Sequence, residues 1–192
     1  MSGWAFAAIG AIESANFVKS GKLIKLSEQE AVDCAGTDAC RGGRISDVFE
    51  FAEGEDIETE AAYPYTGFAD SCWDKSGAVG VNTVTNVPKK SVAQMKAALN
   101  KQPITASIES TQYPFMHYMG GVITDETCGV TQDHGVLVVG YGMDAESSQE
   151  YWLVKNSWGA DWGENGYVRI GINGDGAGVC GIMSSPVYPT TR

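Results

Sequence analysis

The chemistry open to this chain is set by two histidines, five cysteines and their neighbours. His134 stands in the run Gln132-Asp133-His134-Gly135, directly before the branched apolar run Val136–Tyr141. Asn156 closes a second such run, in Val154-Lys155-Asn156-Ser157-Trp158-Gly159. A His at one strand edge and an Asn at the end of a neighbouring strand make an oriented base. The Asn oxygen accepts one imidazole N–H and fixes the tautomer, and the other ring nitrogen is free to handle a proton. Taken alone the signal is weak, because a lone His is more often structural. His117 reads as a surface or packing residue.

The cysteines are Cys34, Cys40, Cys72, Cys128 and Cys180. They form no CxxC pair, which excludes a zinc ribbon or a thioredoxin motif. The two histidines are distant in sequence, so no His-rich metal site and no cofactor is expected. Five spaced cysteines in an acidic chain fit an oxidising compartment, with two bridges and one cysteine left over. The opening Met1-Ser2-Gly3-Trp4 has neither a basic n-region nor a long apolar h-region, so it is not a signal peptide. Bridged cysteines without an export signal imply either free thiols or residues missing upstream. Gly171–Gly178 has no helix and no acidic ribose partner behind it, so nucleotide binding is a poor reading. Asn173-Gly174-Asp175-Gly176 lacks full calcium-ligand spacing and reads as a hairpin turn.

These residues must be positioned by a chain of 192 residues and 20.4 kDa, enough for one domain or two small lobes. Apolar residues make up 43%, which excludes a fully disordered chain. With 24 acidic and 13 basic residues the net charge is -11, which argues against nucleic acid or an anionic membrane as partner. Its apolar stretches fall far short of a membrane span.

The first half reads helical. Ala5, Ala8, Ile9 and Ile12 recur at helical spacing between Trp4 and Lys19, and Gly21 is a stop signal. Ser27-Glu28-Gln29-Glu30 is a capping box for a short helix reaching Cys34. A third helix follows Gly42-Gly43, with Ile45, Val48, Phe49 and Ala52 on one side and Gly54 at its end. The acidic stretch Glu53, Glu55, Asp56, Glu58, Glu60 reads as a solvated loop. Ser91-Val92-Ala93-Gln94 caps a helix with Met95, Ala98 and Leu99 inward. Ile104–Ser110, Val136–Tyr141, Tyr151–Lys155 and Tyr167–Ile172 then read as strands. Helices first and strands second indicate an α+β protein.

Several motifs now share one resemblance. They are Trp4-Ala5-Phe6-Ala7, Leu26–Cys34, Cys40-Arg41-Gly42-Gly43, Tyr63-Pro64-Tyr65, His134–Gly142 and Lys155-Asn156-Ser157-Trp158-Gly159. In type and order the chain resembles the papain-like (cathepsin-type) cysteine proteases over nearly its whole length. That family's signature places His and Asn some 130–150 residues after a Cys that precedes an aromatic residue. The resemblance implies a two-lobe α+β fold, with a helical left lobe (1–85), an antiparallel β-barrel-like right lobe (86–192) and the active cleft between them. It implies His134 as the base, Asn156 as its orienter and Trp158 as the shield over their hydrogen bond. Asp133 and Gly135 flank the base. Gly42 and Gly43 become the wall along which an extended peptide pairs, since bare glycines let a backbone approach. Arg44, Ser107 and Ser185 fall where the family lines its main specificity pocket. Arg44 either turns to solvent or favours an acidic substrate side chain. The implied disulfides are Cys34–Cys72 and Cys128–Cys180. The implied partners are peptide or protein substrates in extended form and protein inhibitors, with the chain itself a monomer. The implied location is lysosomal, vacuolar or extracellular.

The match fails at its start. The family's nucleophilic Cys precedes the Trp, and here that position is Gly3. A glycine can neither attack a carbonyl nor form a thioester. The family's oxyanion glutamine, the partner of Cys40 and the prosegment would all lie upstream of Met1. All departures cluster at or before residue 3. His134 and Asn156 are intact. That pattern favours a truncated or misread member of the family over a drifted pseudoenzyme, and in either case this chain is expected to be inactive as written. The alternative function is a non-catalytic peptide binder or decoy.

Overall fold

The computed structural model describes residues 2–35, 41–73 and 76–192. Cys40, expected to lack a bridge partner, lies outside the described residues. The chain divides into two compact units, Met1–Thr85 with Tyr188–Arg192, and Asn86–Val187.

The first unit is built on helix α1 (Gly3–Ser20), whose Ala and Ile face is buried. Small residues recur along it, so other elements approach closely: α1 packs on α3 (Ile45–Gly54) and on the turn after α2 (Glu28–Glu30). Gly21 ends α1 in the left-handed region (φ 71°) and donates its N–H to the Phe17 carbonyl, the expected glycine stop. Ser27 caps α2 by accepting the Glu30 N–H at 2.9 Å. Beyond α2 the backbone widens into a π-turn over Ala31–Ala35, where the sequence predicts plain α-helix. Cys34 is bonded to Cys72. Val48, Phe49 and Ala52 of α3 are buried, as their spacing predicts.

The acidic stretch is the solvated segment its composition suggests at Glu53, Glu55 and Asp56, which are exposed, but not at Glu58. Glu58 is only 5% exposed, and its carboxylate accepts the Gly77 N–H at 2.6 Å together with the Ser76 hydroxyl. Glu30 in turn accepts the Glu58 N–H at 2.6 Å. These carboxylates act as acceptors for loop backbone that has no strand partner. A charge count cannot distinguish that role from solvation.

Gly43 has a packing reason of its own. A Cβ there would overlap the Trp4 indole, coming within 2.6 Å of Cζ2. Trp4 is 5% exposed and has no room to retreat. Gly43→Ala is therefore expected to destabilise the chain by about 1–3 kcal/mol, read as a lower urea midpoint at unchanged slope. An unshifted midpoint would show that Trp4 can repack.

The second unit carries the sheet. Its elements are α4 (Val92–Leu99), β2 (Ile104–Ile108), α5 (Tyr113–Met116), β3 (Val122–Ile123), β4 (His134–Met143), β5 (Glu150–Lys155) and β6 (Tyr167–Gly171). With β1 (Val81–Asn86) and β7 (Val187–Thr191), seven strands among the described residues run in the order β1-β7-β2-β4-β5-β6-β3. The sheet is open rather than closed into a barrel, and β3 lies parallel to β6. β2–β4, β4–β5 and β5–β6 are antiparallel. Their inward side chains, Ile104, Ile108, Val136, Val138, Trp152, Val154, Val168 and Ile170, are at most 1% exposed and form the core. α4 lies against β4 through buried Met95 and Ala98. Asp175 accepts the Val92 N–H at 2.8 Å, so the Asn173–Gly176 segment is not a plain hairpin turn but a loop that caps α4. Cys128 is bonded to Cys180, both buried.

Candidate active site

His134 is the first residue of β4, opposite Ile108, the last residue of β2. Asn156 directly follows Lys155, the last residue of β5, which is the other neighbour of β4. Two adjacent strands therefore deliver the two side chains to the same end of the sheet. His134 Nε2 and Asn156 Oδ1 are 2.7 Å apart. The Ser157 N–H also donates to Asn156 Oδ1, at 2.8 Å, which identifies that atom as the carbonyl oxygen. An amide oxygen only accepts, so Nε2 carries the hydrogen and Nδ1 is left with its lone pair. The Asn156 backbone is anchored as well, its N–H donating to the Gly166 carbonyl at 3.0 Å. Asn156 Nδ2 is buried without a hydrogen-bond partner, a cost concentrated at this pair.

The surroundings are aromatic. The Trp158 ring lies 5.2 Å from the His134 ring, tilted by 34°. Phe115 of α5 stands edge-on to Trp158 at 5.3 Å, and Trp162 lies 5.3 Å from Trp158. Phe115 is fully buried, and Trp158 is 37% exposed. Phe115 is not singled out in the sequence, and Trp162 stands out there only as part of the run that follows Trp158. Their ring types were visible there, but no spacing signal ties them to His134.

His134 is 6% exposed. Burial holds its imidazole below the usual histidine range, while the Asn156 hydrogen bond and the Asp133 charge pull the other way. The ring is thus held neutral near pH 7, the state a proton acceptor needs. Linkage fixes the sign. The folded pKa is depressed, so the stability contribution is fully present above the unfolded value, about 6.5. It is lost as pH falls through the folded value. Asn156→Ala removes an interaction that favours the charged form. It is expected to move the His134 titration to still lower pH, followed by NMR of the ring protons. A shift to higher pH would contradict this account.

The flanking residues have separate roles. Asp133 accepts the N–H and hydroxyl of Ser110 at 2.8 and 2.7 Å, fixing the chain just beyond β2. Gly135 pairs with Ser107 in the ladder. Ser185 and Ser107 are linked through Gln132. In the first unit, Gly3 is the first residue of α1, Gly42 has open space where a Cβ would stand, and Gly43 lies against Trp4. Arg44 is turned to solvent, its side chain 80% exposed and paired with Asp47 at 2.8 Å. His117 is exposed and stacked near Tyr113. Among the described residues no group of His, Cys, Asp and Glu could hold a metal ion, and no helix is long and apolar enough to cross a membrane.

Comparison with known proteins decides the family. The model of the papain family cysteine proteases matches residues 1–190. The chain belongs to the papain family. A probable cysteine protease of Arabidopsis thaliana, RD21C, is 43% identical over 195 residues, covering 97% of this chain and 42% of the relative. Digestive cysteine proteinase 3 of Homarus americanus is 40% identical over 194 residues, covering 97% of this chain and 59% of the relative. The chain thus spans about half the length of the curated relatives it matches. Among solved structures, bromelain from Ananas comosus, in complex with the E64 inhibitor, superimposes with a TM-score of 0.93 at 37% identity. That match covers 98% of this chain and 88% of bromelain. The papain-like fold follows, with its mixed helices and sheet.

Proposed function

We propose that this papain-family chain keeps the family's proton-transfer pair and binds extended peptides, but does not hydrolyse them. The observation that carries the reading is the 2.7 Å bond between His134 Nε2 and Asn156 Oδ1; Gly3, which the family resemblance aligns with the nucleophile, opens α1. In the family reaction a thiolate attacks the peptide carbonyl carbon and the C–N bond breaks. The imidazolium gives its proton to the leaving amine, and water then hydrolyses the thioester. His134 suits the proton-transfer part: its Nδ1 lone pair is available, burial keeps it neutral, and Asn156 prevents the ring from flipping. Trp158 and Phe115 keep water from that hydrogen bond, which strengthens it. Gly3 has no atom with which to attack.

In this reading the two compact units, Met1–Thr85 with Tyr188–Arg192 and Asn86–Val187, are the two lobes of one peptidase-type domain. The first unit offers Gly42 and Gly43 as a backbone rail to an extended peptide, and the second unit offers Trp158, Ser107 and Ser185 as side-chain contacts. Protein inhibitors that present an extended segment are further partners. The two disulfides support an oxidising compartment, and in this reading it is lysosomal, vacuolar or extracellular, as the family resemblance implies. The test is hydrolysis of a fluorogenic peptide by the chain as it stands and by Gly3→Cys. Cleavage by the unmodified chain that His134→Ala abolishes would overturn the proposal.

A further inference from the structure

Gln132 lies two residues before His134 and was not among the expected substrate contacts. Its side chain is exposed yet held at both ends. Nε2 donates to the Ser107 carbonyl at 3.2 Å, and Oε1 accepts the Ser185 hydroxyl at 3.0 Å. Ser107 belongs to β2, opposite Gly135, while Ser185 comes from the segment before β7. Three stretches of chain thus converge to fix one primary amide two residues before the base in sequence. Asp133 does not compete for it, because the Asp133 carboxylate is engaged with Ser110 and Thr111.

A primary amide has two N–H donors and two carbonyl lone pairs. One N–H goes to Ser107 and one lone pair to Ser185. The second N–H and the second lone pair face solvent in a fixed geometry. An immobilised amide of this kind can form two reciprocal hydrogen bonds with another primary amide, one given and one received. An exposed Gln free to rotate would first have to be ordered, at a cost in side-chain entropy. Here the chain itself has already ordered it. An aliphatic side chain at the same place would cover the free N–H and carbonyl without replacing their water.

We infer that Gln132, clamped between Ser107 and Ser185, selects peptides carrying an Asn or Gln side chain next to His134. This rests on the peptide-binding reading above and goes beyond it by naming the side-chain class.

The test is fluorescence anisotropy with labelled alanine-based octapeptides. Each contains one Gln, moved along the peptide position by position, and each has a matched peptide with Met in its place. In one register the Gln peptide is expected to bind about three- to tenfold tighter than its Met partner. Gln132→Leu is expected to abolish or reverse that preference while still binding the Met peptide. Gln132→Glu keeps the side-chain length but cannot donate to the Ser107 carbonyl, and is expected to lose the preference too. Peptides that bind with no Gln preference in any register overturn this inference and leave the peptide-binding reading standing. Loss of all peptides, Met included, in Gln132→Leu also overturns it, because Gln132 would then be a structural tie. Absence of binding by every peptide to the unmodified chain overturns the reading and the inference together.

Discussion

Gly3→Cys is expected to convert a chain without peptide hydrolysis into a thiol-dependent peptidase, with a gain of roughly 10³–10⁴ in rate, the loss at a missing nucleophile discounted for the oxyanion glutamine that this sequence does not carry. The size follows from what is missing. Removing the nucleophile of a hydrolytic site costs about as much as removing the whole site, because the other members act only through it. The local structure favours a thiolate at this position. Gly3 is the first residue of an 18-residue helix, no acidic residue occupies the first turn, and the Ser2 side chain does not cap it. The positive end of the helix dipole and its free N–H groups lower the pKa of a thiol placed there. The variant should therefore be labelled by a thiol-directed epoxide, while the unmodified chain should not be labelled at this position. Adding His134→Ala should abolish hydrolysis, and adding Asn156→Ala should reduce it and shift the acid limb of its pH profile to lower pH. A Gly3→Cys chain that is labelled but does not cleave, with or without His134, would reduce the His134–Asn156 pair to a packing feature.

Such an experiment is conceivable from sequence because the pair was legible there, though only partly for physical reasons. The strand edges were visible as branched apolar runs ending at His134 and Asn156, and the structure puts both residues at the ends of adjacent strands. Nothing in the spacing required β4 and β5 to be neighbours. The resemblance supplied that, since pairing between distant segments is a tertiary property. The helices were read more fully, because α1, α3 and α4 each have local caps or stops and a buried face at helical spacing. β1 and β7 were missed. Their residues, Val81–Asn86 and Val187–Thr191, are rich in Thr and polar groups, and β7 contains Pro189, so neither has the alternation of a half-buried strand. Glu58 was misread for a related reason. Composition sees a charge, whereas its burial depends on the N–H of Gly77, nineteen residues away. Arg44 shows the converse. Its alignment suggests a specificity role, and the contact that the alignment does not reveal is the pair with its i,i+3 neighbour Asp47 at the start of α3.

The largest effect on stability is expected from the disulfide of the second unit. Replacing Cys128 and Cys180 together by Ala should destabilise the fold by about 2–5 kcal/mol. The bridge closes a loop with a sequence separation of 52, against 38 for Cys34–Cys72. Loop entropy grows only with the logarithm of length, so that difference alone separates the two by a few tenths of a kcal/mol at about 25 °C. Position decides the ranking instead. Cys128 and Cys180 are 0% and 1% exposed, so their loss also opens a cavity, whereas Cys72 is exposed. The Cys180 carbonyl accepts the Glu109 N–H at 2.9 Å, immediately after β2. The Glu109 carboxylate accepts the Thr131 N–H at 2.6 Å and the Gln112 side-chain N–H at 2.6 Å. One side of Glu109 thus secures the segment that leads into His134, and the other Gln112 at the start of α5, the helix that carries Phe115. Loosening Cys180 should therefore reach the base as well as the fold. The Cys128→Ala/Cys180→Ala variant is expected to show a lower urea midpoint than the Cys34→Ala/Cys72→Ala variant. It should also move the His134 ring resonances, which the Cys34 and Cys72 changes should leave in place. Equal midpoints, or an unmoved His134, would mean that Glu109 holds both segments without help from the bridge.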